Sequence, residues 1–164
     1  MQRHDSQRGY FAYRLWELMA TNSDIVVLTG DLGYGMFDSI RDDYPDRFIN
    51  VGASEQSLVD IAVGLAMSGK IPICYSITPF LLYRAFEGIR NYINNESIPV
   101  ILVGGGRNKD YLTDGPSHWS TEDRQVMKIF RNIKNYWPTT KEEVPRMLDK
   151  IIKSHKPSYL NLNR

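Results

Sequence analysis

The residues of this chain best suited to chemistry are a glutamate at the start of an apolar helix and a histidine in a long glycine-rich loop. Glu55 lies in Val51-Gly52-Ala53-Ser54-Glu55-Gln56, followed by Leu58, Ile61, Ala62 and Leu65 at helical spacing. Two readings of Glu55 stand side by side. A carboxylate in a helix's first turn is stabilised by the helix dipole, which is capping alone. A partly buried carboxylate can also hold a nitrogen heterocycle and share a proton with it. His118 ends the polar loop that runs from Gly104-Gly105-Gly106 to Asp114-Gly115-Pro116-Ser117-His118, and long loops in compact domains are often functional. It reads equally well as a solvated side chain. His4 and His155 lie near the termini. The turn Gly30–Gly35 lacks the Gly-x-Gly-x-x-Gly order of a dinucleotide loop, and the chain has no Gly-x-x-x-x-Gly-Lys-Ser/Thr phosphate loop. That turn therefore reads as a tight strand-to-helix connection. Cys74, inside an apolar run, reads as core filler rather than a nucleophile.

The elements that must position these residues alternate between helical and strand-like patterns. Arg8–Ala20 carries Phe11, Leu15, Leu18 and Met19 at helical spacing. Ile25–Thr29 is a short β-branched run, Phe37–Asp43 a short helix closed by Pro45, and Arg47–Val51 a second strand. A helix over Ser54–Met67, capped by Ser54 and stopped by Gly69, leads to a strand at Ile71–Ile77. Pro79 starts a helix to about Asn91, and Val100–Val103 is the next strand, before the loop Gly104–Ser120. The remainder predicts a helix, a short strand near Asn132–Tyr136, a helix over Lys141–Lys153 and a last strand at Ser158–Leu162. Strands joined by crossover helices predict an α/β fold: three layers, α/β/α, around a mainly parallel sheet. Ligands bind such sheets beyond the carboxyl ends of their strands, where Glu55 and the His118 loop fall.

The 164 residues, with 20 Lys+Arg against 19 Asp+Glu and 42% hydrophobic residues, suit a single domain over residues 1–164. Near-neutral charge argues against a polybasic nucleic-acid binder. One cysteine excludes a disulfide framework and a Cys-based zinc site. The first eight residues lack the apolar core of a secretory signal, and no apolar run approaches the roughly 20 residues of a bilayer span. The expectation is a cytoplasmic domain that engages neither membrane nor nucleic acid.

Taken in order, four stretches resemble the pyrimidine-binding domain of transketolase-type thiamine diphosphate enzymes. They are Leu28–Leu32, Asp46–Gln56, Ala62–Pro72 and Asp114–His118, and Lys156–Leu162 is similar to that domain's closing strand. The resemblance implies the thiamine diphosphate-binding pyrimidine-domain fold. It implies that Glu55 holds the cofactor's aminopyrimidine nitrogen and favours the tautomer that takes the reactive proton. Phe80 matches the aromatic that stacks on this ring, Tyr83 another aromatic of the pocket, and Asp31 and Leu32 the turn near the cofactor. His118 matches a histidine that contacts reacting oxygens and moves protons. Asp114 matches an aspartate that orients a substrate hydroxyl, and Arg8 a phosphate-binding arginine.

Positions where sugar-phosphate transketolases carry a serine and a histidine for the distal phosphate hold Gly35 and Gly106 here. Arg107 and Lys109 are candidates to replace those contacts, and a ketose on another carrier or an acidic substrate stays open. Gly30-Asp31 is followed by Leu32 rather than glycine, so the family's Gly-Asp-Gly metal motif is not met, and no residue of this chain is expected to bind metal. The expectation is one subunit of a split, heteromeric enzyme. Its partner subunit carries the diphosphate and Mg²⁺ site, the two share thiamine diphosphate, and a dimer of heterodimers transfers a two-carbon ketol unit between small sugar substrates. Alternatives are a subunit of a 2-oxo acid decarboxylase or dehydrogenase, and a non-catalytic assembly subunit.

Overall fold

Successive side chains of a strand point to opposite faces, so a strand apolar at every position belongs inside two packed layers. The computed structural model, which describes residues 1–164, builds such a sheet. Its strands are β1 (Ile25–Thr29), β2 (Phe48–Asn50), β3 (Ile71–Ile77), β4 (Ile101–Gly105), β5 (Lys134–Tyr136) and β6 (Ser158–Leu162). All neighbours pair parallel, in the order β2-β1-β3-β4-β6-β5.

The parity of each strand sorts the core into two halves. Val27, Ile73, Tyr75, Ile101, Val103 and Leu160 face α1 (Gln7–Thr21), α2 (Asp38–Asp43) and α6 (Glu143–Ser154). Leu28, Cys74, Leu102 and Tyr159 lie in one register row and face α3 (Glu55–Met67) and the helical segment 80–95. Cys74 is fully buried there, and desolvation pushes its thiol far up, as expected of inert filler.

Three local expectations need correction. The buried side of α3 is Leu58, Val59, Ala62, Val63 and Ala66, whereas Ile61 is 41% exposed. Packing against both the sheet and the 80–95 segment turns this helix about one residue from its predicted face. Ser54 makes no side-chain cap; its hydroxyl is turned to Ser57 Oγ, to which it donates at 2.8 Å. Finally, 80–95 is not a regular α-helix. It winds as a π-helix over Phe80–Arg84 and Ile89–Asn95 around one α-turn, α4 (Phe86–Gly88). Buried Leu81, Ala85, Ile89 and Ile93 recur every four residues, and in an α-helix of 3.6 residues per turn such a row drifts by about 40° per step. Wider π turns cancel that drift and keep the row on the core, and such turns are frequent at functional sites.

Strand β4 runs on through Gly104 and Gly105, beyond the predicted Val103. Their pairing with Ser76 and Ile77 on one side and Asn161 and Leu162 on the other accounts for the extension. A Cβ at Gly104 would lie 2.6 Å from Thr78 Oγ1 and 3.0 Å from the Tyr159 hydroxyl. Glycine is what lets those side chains meet beneath the loop.

Candidate active site

Glu55 opens α3 at the carboxyl edge of the sheet and is 2% exposed. A buried carboxylate must be compensated by hydrogen bonds or by a cation. Ser76 Oγ, from β3, donates to Oε1 at 3.1 Å, and Arg84 Nη1, from the first π turn, donates to Oε2 at 2.8 Å. Gly30 closes the other side; a Cβ there would sit 3.2 Å from the Gly52 carbonyl oxygen and 3.4 Å from Glu55 Oε1. The Arg84 guanidinium carbon lies 3.8 Å from the centroid of the Phe80 ring, a cation–π contact. Phe80 in turn meets the His118 ring edge-on at 4.8 Å.

His118 is partly buried, with Nδ1 2.9 Å from Ser117 Oγ. With Nδ1 so engaged, Nε2 is the nitrogen left for a reacting oxygen. The imidazole also neighbours Tyr111, 5.8 Å between centroids, and the Tyr111 hydroxyl accepts from Arg8 Nη1 at 3.4 Å. A continuous line of side chains thus crosses the sheet's carboxyl edge: Glu55, Arg84, Phe80, His118, Tyr111, Arg8.

Arg8 lies at the far end, in a cleft of about 440 Å³ lined also by Leu32, Tyr34, Tyr75 and Tyr111. Its Nε is buried without a hydrogen-bond partner. Tyr75 is buried in the cleft floor, which pushes its phenol up to about 12, while the nearby Arg8 guanidinium pulls the other way. Asp31 sits at the rim in the left-handed region (φ 59°). Its N–H and that of Gly52 both donate to Asn50 Oδ1, at 2.9 and 3.0 Å, which ties the turns after β1 and β2 together. Hydrogen bonds from the Tyr34 hydroxyl and Asn50 Nδ2 hold the Asp31 carboxyl below the usual range.

The structure therefore brings Glu55, Phe80 and His118 together and sets Arg8 and Leu32 in the adjoining cleft. Tyr83 points elsewhere, donating to Glu122 Oε1 at 2.8 Å; burial and that carboxylate push its phenol well up. Asp114 is exposed in the loop and makes no hydrogen bond through its side chain within the protein. Arg107 is not free to take over a phosphate contact. Its guanidinium donates to Asn161 Oδ1 at 2.7 Å, the Asn161 carbonyl at 2.6 Å and the Pro138 carbonyl at 3.0 Å. Lys109 Nζ lies 4.4 Å from the centroid of the Trp119 ring. Sequence reasoning missed Ser76, Arg84 and Tyr111. Strand parity from Cys74 would have put Ser76 on the Glu55 face, and Arg84 lies four residues after Phe80. Tyr111 carries no such signal.

No three His, Cys, Asp or Glu side chains converge as a metal site, and no helix is long and apolar enough to cross a membrane.

Residues 6–164 match the family model described as transketolase, pyrimidine binding domain. One of the subunits of an apulose-4-phosphate transketolase from Actinobacillus succinogenes is 35% identical over 74% of this chain and 39% of its own length. A provisionally assigned transketolase C-terminal section from Methanocaldococcus jannaschii is 31% identical over 96% of this chain and 50% of its own length. The chain thus spans half or less of the length of these relatives. Among solved structures, a split-gene transketolase in an inactive β4 tetramer superposes with a TM-score of 0.86 at 30% identity, covering 98% of this chain and 52% of that one.

Proposed function

Because the chain belongs to the transketolase pyrimidine-binding domain family, we propose that it is the pyrimidine-binding half of a split, thiamine diphosphate-dependent enzyme that transfers a two-carbon ketol unit. The observation that carries this reading is Glu55, a carboxylate buried at the sheet's carboxyl edge with an aromatic face and an imidazole beside it. That donor set fits an aminopyrimidine. Glu55 Oε2 faces a partner it can exchange, Phe80 offers a flat apolar surface, and glycine at position 30 keeps side-chain bulk away from Oε1. When bound, the cofactor supplies a nucleophilic carbon and an electron sink for carbonyl substrates.

The protein's share of the work is positioning and proton handling. Glu55 holds a hydrogen bond, and through it a proton, at the ring nitrogen; the low-dielectric surroundings make that bond stronger than in water. Phe80 orients the ring by its face. His118, steadied by Ser117, presents Nε2 to reacting oxygens and shuttles their protons. Asp114, exposed on the same loop, is the residue for a substrate hydroxyl, and the unpaired Arg8 Nε suits an anionic or hydroxylated distal end in the cleft. Asp31 and Leu32 border the seat from the β1 turn, while Tyr83, turned away to Glu122, leaves the aromatic contact to Phe80. Mg²⁺ and the diphosphate fall to a partner subunit, in a dimer of heterodimers in the cytoplasm. The names of the split relatives, one a subunit and one a section, support a partner of this kind, as does the inactive tetramer of the related split-gene chain.

Reconstituting the chain with its diphosphate-binding partner, thiamine diphosphate, Mg²⁺ and ketose donors should give donor cleavage and ketol transfer. Cleavage that survives Glu55→Ala unchanged would remove Glu55 from the mechanism. Release of CO₂ from 2-oxo acids without ketol transfer would replace the reaction.

A further inference from the structure

Arg84 occupies the two places an aminopyrimidine would take, a nitrogen against Glu55 and a flat π system against Phe80. A guanidinium is flat, delocalised and edged with N–H donors around an N–C–N unit. The aminopyrimidine has the same N–C–N edge and a π face. Here the guanidinium stacks 3.8 Å from the Phe80 centroid while Nη1 sits 2.8 Å from Glu55 Oε2. Aromatic face and buried carboxylate are thus both occupied by one side chain of the protein itself.

From this geometry we infer that Arg84 is an internal occupant of the aminopyrimidine seat, which the cofactor displaces from Glu55 and Phe80 on binding. The inference rests on the cofactor reading above and goes beyond it, because it assigns a role to a residue that the family resemblance did not. Two features equip Arg84 for the task. The Arg84 side chain is 49% exposed against 1% for that of Glu55, so it can swing into water while Glu55 stays. Its other guanidinium nitrogens make no hydrogen bond within the chain, so leaving gives up one hydrogen bond and one stacked contact. While the seat is empty, Arg84 compensates a buried carboxylate that would otherwise keep only the Ser76 hydroxyl. The exchange then replaces one stacked, nitrogen-bearing partner of Glu55 by another. Because the pyrimidine ring nitrogen carries no hydrogen of its own, one proton enters from solvent as the guanidinium leaves and is shared between that nitrogen and the carboxylate.

An occupant of this kind lowers apparent cofactor affinity by the fraction of molecules in which the seat is open. Removing it should therefore tighten cofactor binding and weaken the unliganded fold, two effects of opposite sign. A residue that merely holds the site in shape would lower both. The test compares wild type, Arg84→Met, which keeps an unbranched apolar stem without donors, and Arg84→Gln, which keeps one amide donor group without charge. Each full chain is titrated calorimetrically with 4-amino-2-methylpyrimidine, and each chain with its diphosphate-binding partner is titrated with thiamine diphosphate and Mg²⁺. Melting curves without ligand accompany both. Arg84→Met should bind about 3–10-fold more tightly than wild type and melt lower when empty, with Arg84→Gln between. Equal or weaker binding in both variants overturns the displacement role while the cofactor reading stands. Binding in neither wild type nor variants overturns both. If Arg84→Met fails to fold, the Arg84→Gln comparison decides alone, by the same sign.

Discussion

Two helices of this protein open on a buried carboxylate, and only one of them belongs to the line of side chains at the site. Glu55 begins α3 at 2% exposure; Asp123 begins α5 (Asp123–Met127) at 3%. Asp123 Oδ2 accepts from Trp137 Nε1 at 3.0 Å and from the Tyr159 hydroxyl at 3.2 Å. That tyrosine also accepts from Asn161 Nδ2, which donates to Thr78 Oγ1, which donates to the Gly106 carbonyl. Both hydrogen-bond partners of Asp123 are neutral, Tyr159 fully buried and Trp137 partly so. Glu55 instead has one fixed neutral donor and one half-exposed cation that can leave. Burial at a helix start therefore does not mark a working carboxylate. In the role proposed for Glu55, what sets it apart is a half-exposed partner. The Asp123 network still serves the site indirectly, because it fastens the root of the 106–120 loop that carries His118.

The largest effect should separate the two acids by activity. Glu55→Gln in the reconstituted enzyme is expected to lower turnover by about 10²–10⁴-fold with little change in melting temperature, whereas Asp123→Asn keeps turnover per folded molecule in the wild-type range. Equal losses in steady-state assays would erase the distinction. Stability should separate them in the opposite sense. Asp123→Ala strands two buried donors and should cost about 2–4 kcal/mol, read by urea denaturation; a fully stable variant would mean the network is dispensable.

Alkaline stability gives the next test. Burial holds Tyr75 up at about 12 against an ordinary value of 10.0. Tyr159, buried with Asp123 beside it, is held well above that ordinary value too. The folded state then binds more protons than the unfolded state above pH 10. Stability is intact below about pH 10 and is lost as pH rises towards 12, by about 2–3 kcal/mol for Tyr75 alone. Melting curves from pH 8 to 12 should show this decline. Tyr75→Phe should flatten it, and Glu55→Gln should leave it unchanged. The smallest effect is Tyr159→Phe at neutral pH, about 1–2 kcal/mol, because Trp137 still serves Asp123. A loss as large as that of Asp123→Ala would make Tyr159, not the carboxylate, the centre of the network.

Much of the fold was legible in one dimension because strands and helices are written in short periods. Runs such as Ile25–Thr29 and Ile71–Ile77 are buried on both faces, which is why they read as apolar at all but Thr29 and Ser76. Legibility failed where two neighbours compete for one helix. On α3 the 80–95 segment claims Val59 and Val63, leaving Ile61 outside, and the four-residue recurrence in 80–95 itself reads as an ordinary helix. Of the site, Glu55 and His118 could be singled out from residue type and their place beyond the carboxyl end of a strand, whereas Phe80, Leu32 and Arg8, the last in α1 ahead of the first strand, could be named only through the family resemblance.

By itself, then, the sequence determined the layered parallel architecture, the residue types at the carboxyl edge and the family to which they belong, since these depend on local periodicity and ordered motifs. Which carboxylate keeps a half-exposed, charged partner was decided only by tertiary structure. Glu55 and Arg84 are 29 residues apart, Asp123 and Tyr159 36. No local pattern records that packing brings a half-exposed cation to the first and a sealed phenol to the second.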